Sequence, residues 1–108
     1  GSGKARRDFI YIKDLISFIE KAYFNQKKSF GLYNCGMGYS LSINELVEKI
    51  ILVSKKNLNL KNDISKPDIV TALSLDCSKA EREIKWKNST NFLEALRETY
   101  IWAQNKYE

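Results

Sequence analysis

The apolar positions of this chain fall into two rhythms. Residues 7–12, Arg-Asp-Phe-Ile-Tyr-Ile, form a short aromatic and β-branched run, which predicts a strand. Asp14 suits the N-cap of a following helix. Beyond it, Leu15, Phe18, Ile19 and Ala22 recur at i, i+3, i+4 and i+7, one buried helical stripe. Lys27, Lys28 and Ser29 make a polar turn, and residues 30–35 (Phe-Gly-Leu-Tyr-Asn-Cys) are a second strand candidate before a loop at Gly36, Met37 and Gly38. Ser42 and Glu45 form a capping box, in which each side chain satisfies the other residue's free backbone N–H. Ile43, Leu46, Val47, Ile50 and Ile51 behind it give the cleanest helical pattern in the chain.

The second half is less regular. Residues 57–62 alternate, with Leu58 and Leu60 on one face, and predict a short strand. Ser65 to Asp68 read as a turn built on Pro67, and residues 71–76 as a further extended piece. Ser78 and Glu81 make a second capping box, opening a helix that runs to about Ile84. Asn91 and Glu94 make a third cap pair, and the last helix sets Leu93, Leu96, Tyr100, Ala103 and Tyr107 on one side. Strands and helices alternate without repeat or linker. The class is therefore α/β or α+β: a small mixed sheet with about four helices, in one domain over residues 1–108.

Composition narrows the chemistry. With 44% hydrophobic and 29% charged residues, the chain is ordinary globular sequence rather than disorder. No apolar run approaches the roughly 18–20 residues that cross a bilayer, and the start is too polar for a secretory signal. There is no histidine and no Cys-x-x-Cys, which excludes the usual Cys/His zinc sites and any His-based triad. Two cysteines, Cys35 and Cys77, make no disulfide framework, so a reducing cytoplasm is the expected setting. The net charge of +5 fits an anionic ligand. The basic residues are scattered and no nucleic-acid signature is present, so nucleic acid is not favoured as a partner. The chain opens on Gly-Ser-Gly and enters a strand within a few residues, which reads as the tail of something longer.

Three local patterns carry candidate chemistry. Tyr23 and Lys27 match the Tyr-x-x-x-Lys pair of short-chain dehydrogenases, but Lys27 falls where the helix ends, and chance spacing is the better reading. Gly36-x-Gly38 sits between a strand and a helix like a truncated dinucleotide fingerprint; its third glycine and its acidic partner are missing, which favours a plain tight turn. Lys4, Arg6 and Arg7 cluster at the mouth of the first strand. A guanidinium forks two N–H groups toward phosphate oxygens, so the cluster is a candidate diphosphate clamp, or else a solvated terminus.

The ordered segments resemble the C-terminal, substrate-binding part of the extended short-chain dehydrogenases, the NAD(P)-dependent epimerases, dehydratases and reductases of nucleotide sugars. The resemblance runs through Gly1-Ser-Gly-Lys, Arg7-Asp-Phe-Ile-Tyr-Ile with Asp14-Leu15, Leu32-Tyr-Asn-Cys-Gly-Met-Gly and Ser42-Ile-Asn-Glu-Leu. It continues through Ser65-Lys-Pro-Asp, Leu75-Asp-Cys-Ser-Lys-Ala, Trp86 and Leu96-Arg-Glu-Thr-Tyr-Ile-Trp. The Ser-Lys-Pro-Asp turn and the Glu-Thr-Tyr-x-Trp ending look most like the GDP-fucose synthase branch. The resemblance implies that Arg7 contacts the nucleotide diphosphate, with Lys4 beside it, unless Arg7 merely pairs with Asp8 or Asp14. It implies that Asp68 faces the substrate, unless it only stabilises its turn. After Lys66-Pro-Asp the chain departs from the branch pattern Gly-Thr-Pro-Arg-Lys and reads Ile69-Val-Thr-Ala-Leu, so a second phosphate-facing cation is absent.

The resemblance further implies a homodimeric parent enzyme that uses NAD or NADP on a nucleotide-diphosphate sugar. Its Rossmann domain, cofactor fingerprint and Tyr-x-x-x-Lys pair would lie upstream, so the 108 residues alone are expected to bind no cofactor and to catalyse nothing. The competing expectations are a stand-alone nucleotide-sugar or nucleic-acid binding module, and an inert fragment with a sticky apolar face.

Overall fold

The computed structural model describes residues 1–107. Its elements are β1 (Arg6–Arg7), α1 (Ile12–Asn25), β2 (Leu41–Ser42), α2 (Ile43–Ser54), α3 (Ser78–Ile84) and α4 (Phe92–Tyr107). β1 pairs antiparallel with β2, Arg6 opposite Ser42 and Arg7 opposite Leu41. The other edge of β1 is bridged in parallel by Ala72. There the Arg6 N–H donates to Thr71 O at 2.8 Å and the Leu73 N–H donates to Arg6 O at 3.2 Å. β1 is thus short but central, with one segment of the chain on each side.

Helix starts depend on which polar atom reaches the free N–H groups. At α2 the predicted capping box forms in full: the Glu45 N–H donates to Ser42 Oγ at 3.1 Å and the Ser42 N–H to Glu45 Oε2 at 2.6 Å. At α4 Asn91 Oδ1 accepts the N–H of Leu93 and of Glu94, as the spacing predicts. The other two starts correct the expectation. α3 begins after Cys77 with no side-chain cap, and the Ser78 N–H donates instead to Asp76 Oδ1 at 2.9 Å. α1 begins after Tyr11, two residues before Asp14. Asp14 lies in the first turn, only 7% exposed, where its carboxylate accepts the Thr90 hydroxyl at 2.7 Å. It ties α1 to the approach of α4 rather than capping anything.

The expected strand over residues 7–12 ends at Arg7, because α1 takes up the chain at Ile12. Residues 30–35 and 57–62 form no strand among the described residues. At 30–35 the side chains nonetheless alternate: Tyr33 and Cys35 pack inward, while Leu32 is 73% exposed. A strand needs a neighbour as well as a pattern, and here the neighbour is lacking.

The core is small. Ala80, Ile84 and Trp86 are its buried centre, and Ile10, Phe18, Ala22 and Tyr33 pack around them. Phe18 meets Trp86 edge to face at 5.2 Å. The buried line of α1 runs through Asp14, Phe18 and Ala22, so the predicted stripe is partly displaced: Ile19 is 58% exposed. In α4 the buried residue is Ala95, and Tyr107 is exposed, against the expected one-sided set. The radius of gyration is 16.6 Å, where a compact chain of this length reaches about 13 Å. The accessible surface of 8116 Å² exceeds the roughly 6,200 Å² typical of this mass. Apolar side chains that a closed domain would bury lie on the outside.

Trp86→Ala should therefore cost about 3–5 kcal/mol, whereas Ile19→Asp should stay within about 0.5 kcal/mol. Urea denaturation of the two variants checks this. A large loss at Ile19 would restore the stripe that the sequence predicts.

Candidate functional site

The site grows from the motif at residues 6–8. The two arginines do different work. Arg6 donates through Nε to Ser40 Oγ at 3.2 Å and through Nη2 to Ser40 O at 2.7 Å, and its Nη1 lies 2.9 Å from Glu45 Oε2. It is committed to the capping box of α2, which corrects its place in the proposed clamp. Arg7 donates from Nη1 to Arg6 O at 2.7 Å and to Thr71 O at 3.0 Å. Among the described residues neither Asp8 nor Asp14 pairs with it. Main-chain carbonyls fix one nitrogen of the fork, and among the described residues no carboxylate pairs with it.

Asp8 explains why. Its Oδ1 accepts the Met37 N–H at 2.6 Å, and its Oδ2 accepts the N–H of Gly38 and of Leu75, each at 3.1 Å. One carboxylate joins β1, the glycine turn and the chain leading into α3. Gly36 must be glycine for this, since a Cβ there would lie 2.8 Å from Asp8 Oδ2. The same bonds test the dinucleotide reading of this turn. The N–H groups that would cradle a pyrophosphate are given to the protein's own carboxylate, so these residues do not fit NAD(P). The Tyr23 and Lys27 pair fails too, because α1 ends at Asn25.

The arm of residues 1–3 is part of the fold. Gly3 has φ +71°, and a Cβ on it would overlap the Asn44 carboxamide. Asn44 Nδ2 donates to Ser2 O at 3.2 Å, and Asn62 Nδ2 donates to Asn44 Oδ1 at 2.9 Å. Asp68 closes the arm from the other side, with Oδ2 accepting the Ser2 N–H at 2.7 Å. The hydroxyl and N–H of Ser2 hold the Asp68 carboxyl below its ordinary range, and the Lys4 charge adds to this. Lys4 is exposed. Asp68 and Arg7 share no bond; they lie along one segment, with Thr71 three residues beyond Asp68 carrying the carbonyl that Arg7 holds.

Sequence reasoning passed over Asp8, Asn44 and Asn62. Asp8 stands inside the motif that drew attention to Arg7, and Asn44 inside the capping box. Burial pushes the Cys35 thiol up to about 11 and also raises that of Cys77, which leaves both as poor nucleophiles. Among the described residues no group of side chains could hold a metal ion, and no helix is long and apolar enough to cross a membrane.

This arrangement of four helices on a small sheet is shared by solved nucleotide-sugar epimerases. The UDP-glucose 4-epimerase of Thermotoga maritima, solved with UDP-glucose, superposes with a TM-score of 0.87 at 20% identity over 100% of this chain and 34% of its own. The UDP-N-acetylglucosamine 4-epimerase of Methanobrevibacter ruminantium M1, solved with UDP-N-acetylmuramic acid, gives 0.84 at 31% identity over 98% of this chain and 34% of its own. A UDP-glucose 4-epimerase of Pisum sativum is 31% identical over 107 residues, 95% of this chain and 31% of the relative. Other solved neighbours hold NAD+ or NADPH. The family model for GDP-mannose 4,6 dehydratase matches residues 1–99, and the chain belongs to this family of NAD-dependent epimerases and dehydratases of nucleotide sugars. It spans about a third of the length of the relatives and structures it matches.

Two outcomes test the site's construction. Asp8→Asn turns an amide N–H toward backbone donors and should destabilise the chain by about 2–4 kcal/mol, read by urea denaturation. Four carboxylates, Glu45, Asp63, Asp68 and Asp76, are held below their ordinary range by serine N–H and hydroxyl groups. Their folded pKa values lie below the unfolded ones, so the stability they supply is complete above the unfolded values of about 3.9–4.3 and is lost as pH falls through the folded ones. The melting temperature should be flat from pH 7 to about 5 and drop below about pH 4 in a calorimetric series.

Proposed function

We propose that this chain is the substrate-binding part of an NAD(P)-dependent epimerase of UDP-sugars, and that Arg7 neutralises the substrate diphosphate. The observation that carries the reading is the Arg7 guanidinium: Nη1 is anchored on two main-chain carbonyls, and no carboxylate among the described residues compensates it. A planar, permanently charged fork fixed in this way matches phosphate oxygens. Asp68, whose carboxylate accepts the Ser2 N–H, is assigned to a hydroxyl of the sugar or nucleotide. Lys4 adds charge at the rim, where it favours capture more than affinity. The contribution is positioning rather than bond-making, and hydride transfer belongs to a cofactor-binding Rossmann domain of a longer protein.

The UDP class is favoured by the similarity to UDP-glucose 4-epimerases at about 30% identity and to a structure with a UDP-sugar at 31%. A GDP-fucose-synthase-like reductase is the second reading, resting on the Lys66-Pro67-Asp68 turn and the Glu98-Thr99-Tyr100-x-Trp102 ending.

At ten times its Kd, UDP-glucose should add about 1.4 kcal/mol of stability, a rise in melting temperature of roughly 6–10 °C. Arg7→Ala should abolish the rise and Arg7→Lys should reduce it. Stabilisation by GDP-mannose and not by UDP-glucose would move the reading to the second class. An undiminished shift in Arg7→Ala would remove Arg7 from the site.

A further inference from the structure

We propose that Cys35 and Cys77 are a redox pair: a low-molecular-weight disulfide such as oxidised glutathione converts them into an intrachain disulfide that staples the segment before the glycine turn to the start of α3. Both are free thiols and both are half-buried. They are far apart in sequence, and the fold lays their two segments side by side. The Asn34 side chain donates to Asp76 O at 3.0 Å. A Cβ on Gly36 would lie 3.0 Å from Leu75 Cβ. The Cys77 thiol donates to Gly36 O at 3.7 Å. The neighbours of Cys35 on both sides thus touch residues 75–77, and both cysteine side chains turn to the same core of Ala80, Ile84 and Trp86. A disulfide needs its Cα atoms roughly 4.4–6.8 Å apart, the spacing of chain segments in direct contact.

The two thiols differ in access. Cys77 lines a surface cavity of about 500 Å³ together with Gly36, Met37, Trp86 and Lys87, and Cys35 does not. Cys77 therefore meets the oxidant first. Its thiol gives a proton to solvent, and the thiolate attacks one sulfur of oxidised glutathione. That S–S bond breaks and one glutathione leaves as thiolate. Cys35, deprotonated in turn, attacks the Cys77 sulfur of the mixed disulfide, and the second glutathione leaves. The two cysteines lose two electrons and two protons in all, and the oxidant is reduced to two thiols. Burial holds both cysteines above their ordinary range, and nearby charges add to it: Cys77, Asp14 and Asp8 at Cys35, Asp8 and Asp76 at Cys77. A scarce thiolate slows the exchange at neutral pH; it does not make the disulfide less stable.

The bond closes a loop of about 40 residues and stabilises the chain chiefly by restricting its unfolded state. Met37, Gly38 and Leu75, whose N–H groups Asp8 accepts, stand directly beside the pair. Oxidation therefore braces the segment that also carries Thr71, on whose carbonyl Arg7 rests. The pair stands whether or not Arg7 binds a diphosphate.

The test equilibrates the 108-residue chain with mixtures of oxidised and reduced glutathione at about pH 8.5, in buffer and in concentrated urea. Intact mass and peptide mapping follow the products. In buffer the chain should lose two hydrogen atoms and yield one Cys35–Cys77 linked peptide, both reversed by dithiothreitol. Its equilibrium constant for oxidation should be at least about tenfold larger in buffer than in urea, because the fold holds the thiols together. The oxidised chain should melt at least about 5 °C higher than the reduced one. Cys35→Ala should hold one glutathione on Cys77 and show no such rise. Three results overturn the proposal: a wild-type chain that stops at the mixed disulfide, a bond between two chains, and an oxidation constant no larger in buffer than in urea. A rise in melting temperature that survives Cys35→Ala overturns it as well.

Discussion

One carboxylate organises this chain. Asp8 accepts main-chain N–H groups from Met37, Gly38 and Leu75, residues that are otherwise distant in sequence. Charge-assisted bonds of this kind are stronger than neutral ones and cannot be made by a substitute of the same shape. They hold β1 between β2 and residues 71–73, and so fix where Arg7 stands. The glycine turn exists to approach Asp8. Its likeness to a phosphate cradle arises because a carboxylate and a phosphate ask for the same convergent N–H groups.

Adjacent arginines with the same chemistry end in different roles. Arg6 faces Ser40 and Glu45 and secures the start of α2. Arg7, on the alternate side of the strand, meets the Arg6 and Thr71 carbonyls. The period-two geometry of β1 sends the two guanidinium groups to different partners. The arm of residues 1–3 is held in the same economical way, by Asn44, Asn62 and Asp68, beside the segment that Arg7 touches.

The chain stabilises only one side of its elements. Ala80, Ile84 and Trp86 gather α1, α3 and residues 33–35 from within. The outward face of α1 has no counterpart in the 107 residues described. The core alone is small for the surface that remains.

Local chemistry was legible in the sequence. The α2 capping box and the Asn91 cap depend on atoms within four residues of each other, and both form as spacing predicts. The family was legible from the order of its motifs. What required the tertiary structure was every decision between two partners of similar chemistry. Asp14 bonds Thr90, 76 positions away, instead of capping α1. Residues 30–35 alternate like a strand but find no neighbour. α1 is apolar on two faces, and periodicity cannot say which one the chain itself buries. Pattern along the chain fixes what a segment can do; long-range contacts choose among its options, because a partner's identity lies nowhere in the segment's own residues.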